Sequence, residues 1–191
     1  MAKEDKREAI LQATLELVAE HGFHDAPCSL IAERAGVAAG TIYRYFENKD
    51  VLINELYLDL EAKINTFLEQ GYSLDIPYRE RFLHLVSSLL RFFINNPREF
   101  KYVEQFHNSP YGVAFRRDRL LGQQEDCGIY CELCKQGVAQ QVITDLPPAL
   151  LFDLALRRFV SAARNHIQGF IQLDAPLIQR IAEACWDSMK R

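Results

Sequence analysis

No apolar run in this 191-residue chain approaches the ~18 residues that a membrane-spanning helix needs, although 49% of its residues are hydrophobic. The apolar residues are therefore expected to fill an interior, enough for one large or two small domains. The opening Met-Ala-Lys-Glu-Asp-Lys-Arg-Glu is charged and runs straight into a helical pattern, without the apolar stretch or cleavage site of a secretory signal. A cytoplasmic protein with no membrane partner is the expectation. Cysteine is sparse and odd in number, at five, which in that compartment points to reduced thiols and away from a disulfide framework. Excess positive charge is missing too: 22 Lys and Arg stand against 26 Asp and Glu, and residues 1–50 hold six basic against nine acidic side chains. This argues against a nonspecific nucleic-acid binder, which needs a broad positive field, and less against a reader that places a few cations where phosphates run. Sustained strand-like alternation, internal repeats and low-complexity segments are also absent. So is any nucleophile–base pair or phosphate loop at motif spacing, and an enzyme is not expected.

What the chain has is helical periodicity almost throughout. A first helix over 6–21 carries Ile10, Ala13, Leu17 and Val18 on one stripe, with Gly22 as its stop. Asn48 caps a long helix in which Val51, Leu52, Leu56, Leu60, Ile64 and Phe67 recur, broken by residues 71–77. Further helices are predicted over 78–94 and 97–107, then a loop at Ser109-Pro110-Tyr111-Gly112, then one long helix over 114–142. Asp145-Leu146-Pro147-Pro148 opens another that runs to about 171, and Ala175-Pro176 opens the last, to 189. The fold class is all-α, with about nine helices.

The segment from Ser29 to Lys49 is the most informative. Leu30, Ile31 and Ala35 give a first short helix its buried side, Gly36 permits a bend at positive φ, and Val37 re-enters the core. On the next helix Ile42 and Phe46 face inward, leaving Thr41, Tyr43, Arg44 and Tyr45 outside, where hydroxyls and a guanidinium can reach phosphates and base edges. This is a helix-turn-helix. Lys3, Lys6, Arg7, Arg44 and Lys49 are the cations available for phosphates, and Glu16, Glu20 and Glu33 must then point away from DNA.

Gly22-Phe23, Ile31-Ala32, Ala35-Gly36-Val37, Gly40-Thr41-Ile42-Tyr43, Phe46 and Lys49 together resemble the N-terminal domain of the TetR family of bacterial repressors. The resemblance covers about the first quarter of the chain. It implies a helix-turn-helix DNA-binding domain at 1–50 and a helical ligand-binding and dimerisation domain at 51–191. Carried onto the matched positions, it implies that Thr41, Tyr43, Tyr45 and Lys49 touch the DNA backbone, and that the helix capped by Asn48 offers its free N–H groups to a phosphate. Base reading would fall to Ser29, Ala39, Gly40 and Arg44, of which only Arg44 can contact guanine in bidentate fashion. Two positions depart from the pattern: Ala38 and Pro27 stand where Ser or Thr commonly caps a helix, a loss of ~1 kcal/mol each time a cap is replaced by Ala.

The remainder is rich in large rings. A core explains most of them, but so many rings among scattered polar groups also suit a cavity, and the resemblance implies a pocket between the central helices. Phe67, Phe92, Phe106, Phe115, Tyr130 and Phe159, with the polar His107, Asn165 and His166, are the candidate lining. The ligand expected is apolar or aromatic: an acyl chain, or a cation held by Glu104 or Glu132. Cys127, Cys131 and Cys134 share a helical face at i, i+4 and i+7, so a thiol- or metal-responsive regulator is the alternative, with buried small hydrophobes as the plainer account. No cofactor and no resident metal are expected. Leu151, Leu154 and Phe159 on one late helix and Ile178, Ile181, Cys185 and Trp186 on the other offer apolar surface for a homodimer, whose symmetry would set two reading heads ~34–36 Å apart on a near-palindromic double-stranded operator. The resulting expectation is a dimeric repressor released from its operator by a small effector; a ligand carrier or enzyme without specific DNA binding is the reading of another class.

Overall fold

Several helix boundaries trace to a capping residue or a glycine. In the computed structural model of the chain, residues 3–120 and 128–191 are described, and they form ten helices: α1 (Lys3–His21), α2 (Cys28–Arg34), α3 (Ala39–Ile42), α4 (Lys49–Glu69), α5 (Tyr78–Asn95), α6 (Pro97–His107), α7 (Pro110–Leu120), α8 (Gly128–Ala139), α9 (Pro148–Ile167) and α10 (Ala175–Met189). Among the described residues the sole β pairing is an isolated bridge between Ile143 and Lys190. Gly22 ends α1 at φ +86°, its N–H reaching the Val18 carbonyl at 2.8 Å. Asn48 caps α4 by accepting the Val51 N–H at 2.9 Å, and Asp174 caps α10 by accepting the Leu177 N–H at 2.8 Å.

Three expectations are corrected. The segment at Ser109–Gly112 is no loop but the opening of α7, because Ser109 Oγ accepts the Gly112 N–H at 3.4 Å and Pro110 occupies the first helical position, where a missing N–H costs nothing. The single helix expected over 114–142 is two helices, α7 and α8, which raises the count from nine to ten; residues 121–127 between them lie outside the described residues. Finally, α9 stops at Ile167 and not near 171. Gly169 at φ +79° turns the chain, with its N–H on the His166 carbonyl at 3.0 Å and that of Phe170 on Asn165 at 2.9 Å, the paired bonds of a Schellman end.

The chain divides into two compact units. The first comprises residues 1–62 and 97–116, and in it α1 packs against α2 and α6. Ile10, Leu17 and Val18 of α1 are buried with Ile31, Ile42, Phe46, Leu52 and Ile53. Each such side chain stabilises by roughly 1.5–3 kcal/mol relative to exposure. Polar bonds register the helices: Gln105 Nε2 donates to the Val18 carbonyl at 2.9 Å, and the Tyr102 hydroxyl donates to the Ile53 carbonyl at 2.8 Å. Arg34 reaches Glu16 and Glu20 at 3.5 and 3.4 Å, and Arg98 reaches Glu16 at 3.5 Å.

The second unit comprises residues 63–96 and 117–191, with α10 packed on α5 and α9, and α5 also meeting α8. Trp186 lies 5.5 Å from the Phe82 ring and 6.0 Å from that of Tyr78. Tyr78 donates to the Leu133 carbonyl at 2.8 Å, and burial pushes its hydroxyl well up, so it stays a donor.

The turn from α6 to α7 has no spare room. A Cβ on Gly112 would run into the Phe106 carbonyl oxygen and come within 2.7 Å of His107 Cα, both backbone. Gly112→Ala is thus expected to destabilise the protein by about 1–3 kcal/mol, seen as a lower urea midpoint; an unchanged midpoint would show the corner to be slack.

Candidate nucleic-acid interface

Two backbone bonds at Gly36 hold the helix-turn-helix. Gly36, at φ +66°, donates to the Glu33 carbonyl at 3.1 Å, and Val37 donates to the Ala32 carbonyl at 2.9 Å. This Schellman end aims the chain into α3 without help from side chains, which matters because neither Pro27 nor Ala38 caps the helix that follows it. The four residues of α3 continue as helical turn, with Phe46 N–H on the Ile42 carbonyl at 2.9 Å. Ile42 and Phe46 are buried, as their spacing predicts.

With those two side chains inward, the outward set is determined. Ser29, Ala39, Gly40, Tyr43 and Arg44 are exposed, Tyr43 at 58%, while Thr41 and Tyr45 are half-buried. The Cys28 thiol beside it raises the Tyr43 hydroxyl above its ordinary value, which keeps it a neutral O–H donor at neutral pH. Of the cations expected to reach phosphates, two have partners inside the first unit. Lys49 Nζ donates to the Phe23 carbonyl at 2.7 Å, and Arg7 meets Glu55 at 2.8 Å and Asp59 at 3.3 Å. The acidic Glu16 and Glu20 pair with Arg34, which offsets part of the first unit's negative charge.

The candidate pocket residues fall into several groups. In the first unit Phe106, His107 and Phe115 gather around Tyr57: Tyr57 stacks on Phe106 at 3.9 Å, meets Phe115 edge-on at 4.8 Å, and its hydroxyl lies 3.3 Å from His107 Nε2. In the second unit Phe67 meets Phe92 edge-on at 5.4 Å. Tyr130 lies elsewhere, its hydroxyl directed at Met189 Sδ at 3.8 Å, and Phe159 is fully buried. Asn165 and His166 are engaged in ending α9, and His166 Nδ1 also accepts the Leu173 N–H at 3.1 Å. Glu132 pairs with Lys135 at 2.8 Å, and Glu104 is half-buried.

Of the cysteine stripe, Cys127 lies outside the described residues, Cys131 is half-buried and Cys134 is buried. Burial pushes the Cys185 thiol up to about 11, which keeps it protonated and unreactive. Among the described residues no group of His, Cys, Asp or Glu is arranged to hold a metal. Of the residues assigned to a subunit interface, Leu151, Phe159, Ile178, Cys185 and Trp186 are buried within the single chain. Leu154 and Ile181 are half-buried, and Leu150 and Phe152 beside them are exposed at 49% and 37%.

Sequence reasoning missed Tyr57, Tyr102 and Tyr111. Ile53, Tyr57, Leu60 and Ile64 share one helical stripe at i, i+4, i+7 and i+11, so Tyr57 carried a usable signal. Tyr111 carried none, lying in a stretch whose composition favours a turn.

Gly40 separates folding from binding. A Cβ there meets nothing within 4 Å, and its φ is ordinary. Gly40→Ala is expected to raise stability by about 0.5–1 kcal/mol and to weaken DNA binding, because the added methyl projects only outward. Thermal melts and DNA titrations of the same preparation check both signs, and a variant with unchanged DNA affinity would remove Gly40 from the interface.

Similarity to known proteins agrees with this geometry. The family model described as "Bacterial regulatory proteins, tetR family" matches residues 10–56, and that described as "Tetracyclin repressor-like, C-terminal domain" matches residues 77–190. A Haemophilus influenzae protein named as an uncharacterized HTH-type transcriptional regulator is 25% identical over 190 residues, spanning 100% of this chain and 98% of its own. The Bacillus subtilis fatty acid metabolism regulator protein is 41% identical over 68 residues, 36% of this chain and 34% of its own. The crystal structure of a TetR-family transcriptional regulator from Haemophilus influenzae superposes with a TM-score of 0.81 at 24% identity, covering 100% of both chains. No described helix is long and apolar enough to cross a membrane. With its two matched regions together spanning most of its length, the chain belongs to the TetR family of bacterial helix-turn-helix transcriptional regulators.

Proposed function

We propose that the protein is a cytoplasmic, homodimeric repressor that leaves its operator when a small apolar or aromatic effector binds residues 51–191. The observation that carries this reading is the burial of Ile42 and Phe46 in the helix-turn-helix, which leaves Ser29, Ala39, Gly40 and Arg44 exposed; in this reading those four residues face base edges. Thr41, Tyr43 and Tyr45 supply hydroxyls for phosphates, and the capped start of α4 supplies backbone N–H groups. Lys49 assists by holding that start through the Phe23 carbonyl, or by turning from it to a phosphate when DNA arrives.

Dimerisation is supported by the apolar surface left along α9 and α10, where Leu150 and Phe152 are exposed beside the half-buried Leu154 and Ile181. A two-fold pair of such helices buries that surface and supplies the head spacing that two half-sites require. The effector class rests on the ring clusters around Tyr57 and at Phe67–Phe92, and an acyl ligand is in keeping with the name of the Bacillus relative. Induction then requires the effector to favour the conformation with the wrong head spacing, and a coupling of ~1–3 kcal/mol would lower operator affinity ~5- to 150-fold.

The decisive test is fluorescence anisotropy of the full chain on DNA upstream of its own gene, against scrambled DNA of the same length, over a salt series. Saturable binding of two protomers, selective at physiological salt and weakened as salt rises, is expected. Equal, weak binding to both DNAs would overturn the reading for that site and send the search to other promoters by random-library selection. Palmitate and benzyltrimethylammonium, as acyl and cationic aromatic probes, then test the effector class by the affinity they remove.

A further inference from the structure

At one corner of the first unit three helices, α4, α6 and α7, converge on Phe23, just beyond the end of α1. Its ring meets Tyr102 of α6 edge-on at 5.5 Å and Tyr111 of α7 edge-on at 5.5 Å. The Phe23 carbonyl accepts the Lys49 ammonium at 2.7 Å. The Tyr111 hydroxyl donates to Asp50 Oδ1 at 3.0 Å, and burial together with that carboxylate raises the hydroxyl above its ordinary value, so the proton stays on the donor. Lys49 and Asp50 are the first two residues of α4, the helix whose N-terminal turn faces a phosphate in the proposed complex. One phenol therefore touches both the residue that receives Lys49 and the residue that follows it.

Three contacts tie the helix carrying Tyr111 to the end of α6. Ser109 Oγ donates to the Phe106 carbonyl at 2.7 Å, Arg116 Nη2 donates to the His107 carbonyl at 3.1 Å, and Gly112 has no space for a side chain against the end of α6. The first turn of α7 thus moves with the end of α6. Farther along α4, the Tyr102 hydroxyl on the Ile53 carbonyl acts as a second and separate tether.

We infer that Tyr111 is a positioning residue for DNA binding: its bond to Asp50 and its ring on Phe23 fix the first turn of α4, so that displacement of the α6–α7 corner reaches the phosphate-facing turn as the loss of one hydrogen bond. Its consequence for DNA rests on the operator-binding reading above. Its consequence for the free protein does not.

Two measurements on the full chain separate these. Tyr111→Phe keeps the ring on Phe23 and deletes only the hydroxyl, so the fold is retained. In hydrogen exchange of the free protein, amides of residues 50–54 are expected to exchange about 2- to 10-fold faster in Tyr111→Phe, the range for losing one hydrogen bond, with α10 unchanged. On a duplex selected from a random library by the wild-type chain, Tyr111→Phe is expected to weaken binding by a similar factor. In an Asp50→Ala background the same change should have little further effect, because its partner is already gone. Unchanged exchange at 50–54 overturns the inference whatever the DNA does. Faster exchange with unaltered DNA affinity, or losses that add fully in the double variant, also overturns it. If the selection yields no duplex, the operator-binding reading fails, and the exchange result alone decides the tether.

Discussion

Burial of the Phe46 ring is the constraint on which the reading head depends. Phe46 follows α3, yet its ring lies beneath the Arg7 guanidinium of α1 at 5.6 Å, and that guanidinium is held in turn by Glu55 and Asp59 of α4. One side chain thus joins three helices. The exposed ion pairs alone would contribute ~0–1 kcal/mol each, whereas truncating a buried Phe costs ~3–5 kcal/mol. The apolar contact therefore sets the geometry, and the charges choose among the orientations it allows.

This arrangement has an electrostatic consequence. The head carries more acid than base, and part of its basic complement is committed to internal work at Glu55, Asp59, Glu16 and the Phe23 carbonyl. Recognition in the proposed complex consequently leans on hydroxyls, backbone N–H groups and the exposed Arg44, which are short-range and directional. Such a surface gains little from nonspecific attraction. It suits a regulator that must ignore most of the DNA it meets.

The second unit follows a different logic. Its core is built from rings on α5 and α10, with Trp186 against Phe82 and Tyr78, and from hydroxyls that end on main-chain carbonyls. Burial keeps Tyr78 and Cys185 protonated near neutral pH.

Local signals were legible in the sequence wherever one residue decides the outcome. Gly22, Gly36, Asn48 and Ala175-Pro176 each mark a boundary because positive φ, a side-chain cap or a proline acts over a few residues. The inward pair Ile42 and Phe46, and with it the outward face of the helix-turn-helix, likewise followed from spacing alone. Ser109 and Gly112 were misleading: the same residues that compose a turn also cap and tighten a helix start, and the choice depended on the backbone of α6 lying against Gly112. Helical stripes carried a further ambiguity, since periodicity reveals that a face is buried and not what buries it. Ile178, Cys185 and Trp186 therefore read as a subunit interface, and yet they are already buried within the single chain. The sequence by itself determined the all-helical class, the boundaries at Gly22, Gly36, Asn48 and Ala175-Pro176, and the inward pair of the helix-turn-helix. Only the tertiary structure decided which side chains meet, such as Tyr111 with Asp50 across 61 residues, because side-chain partnership depends on distances between helices that no local pattern encodes.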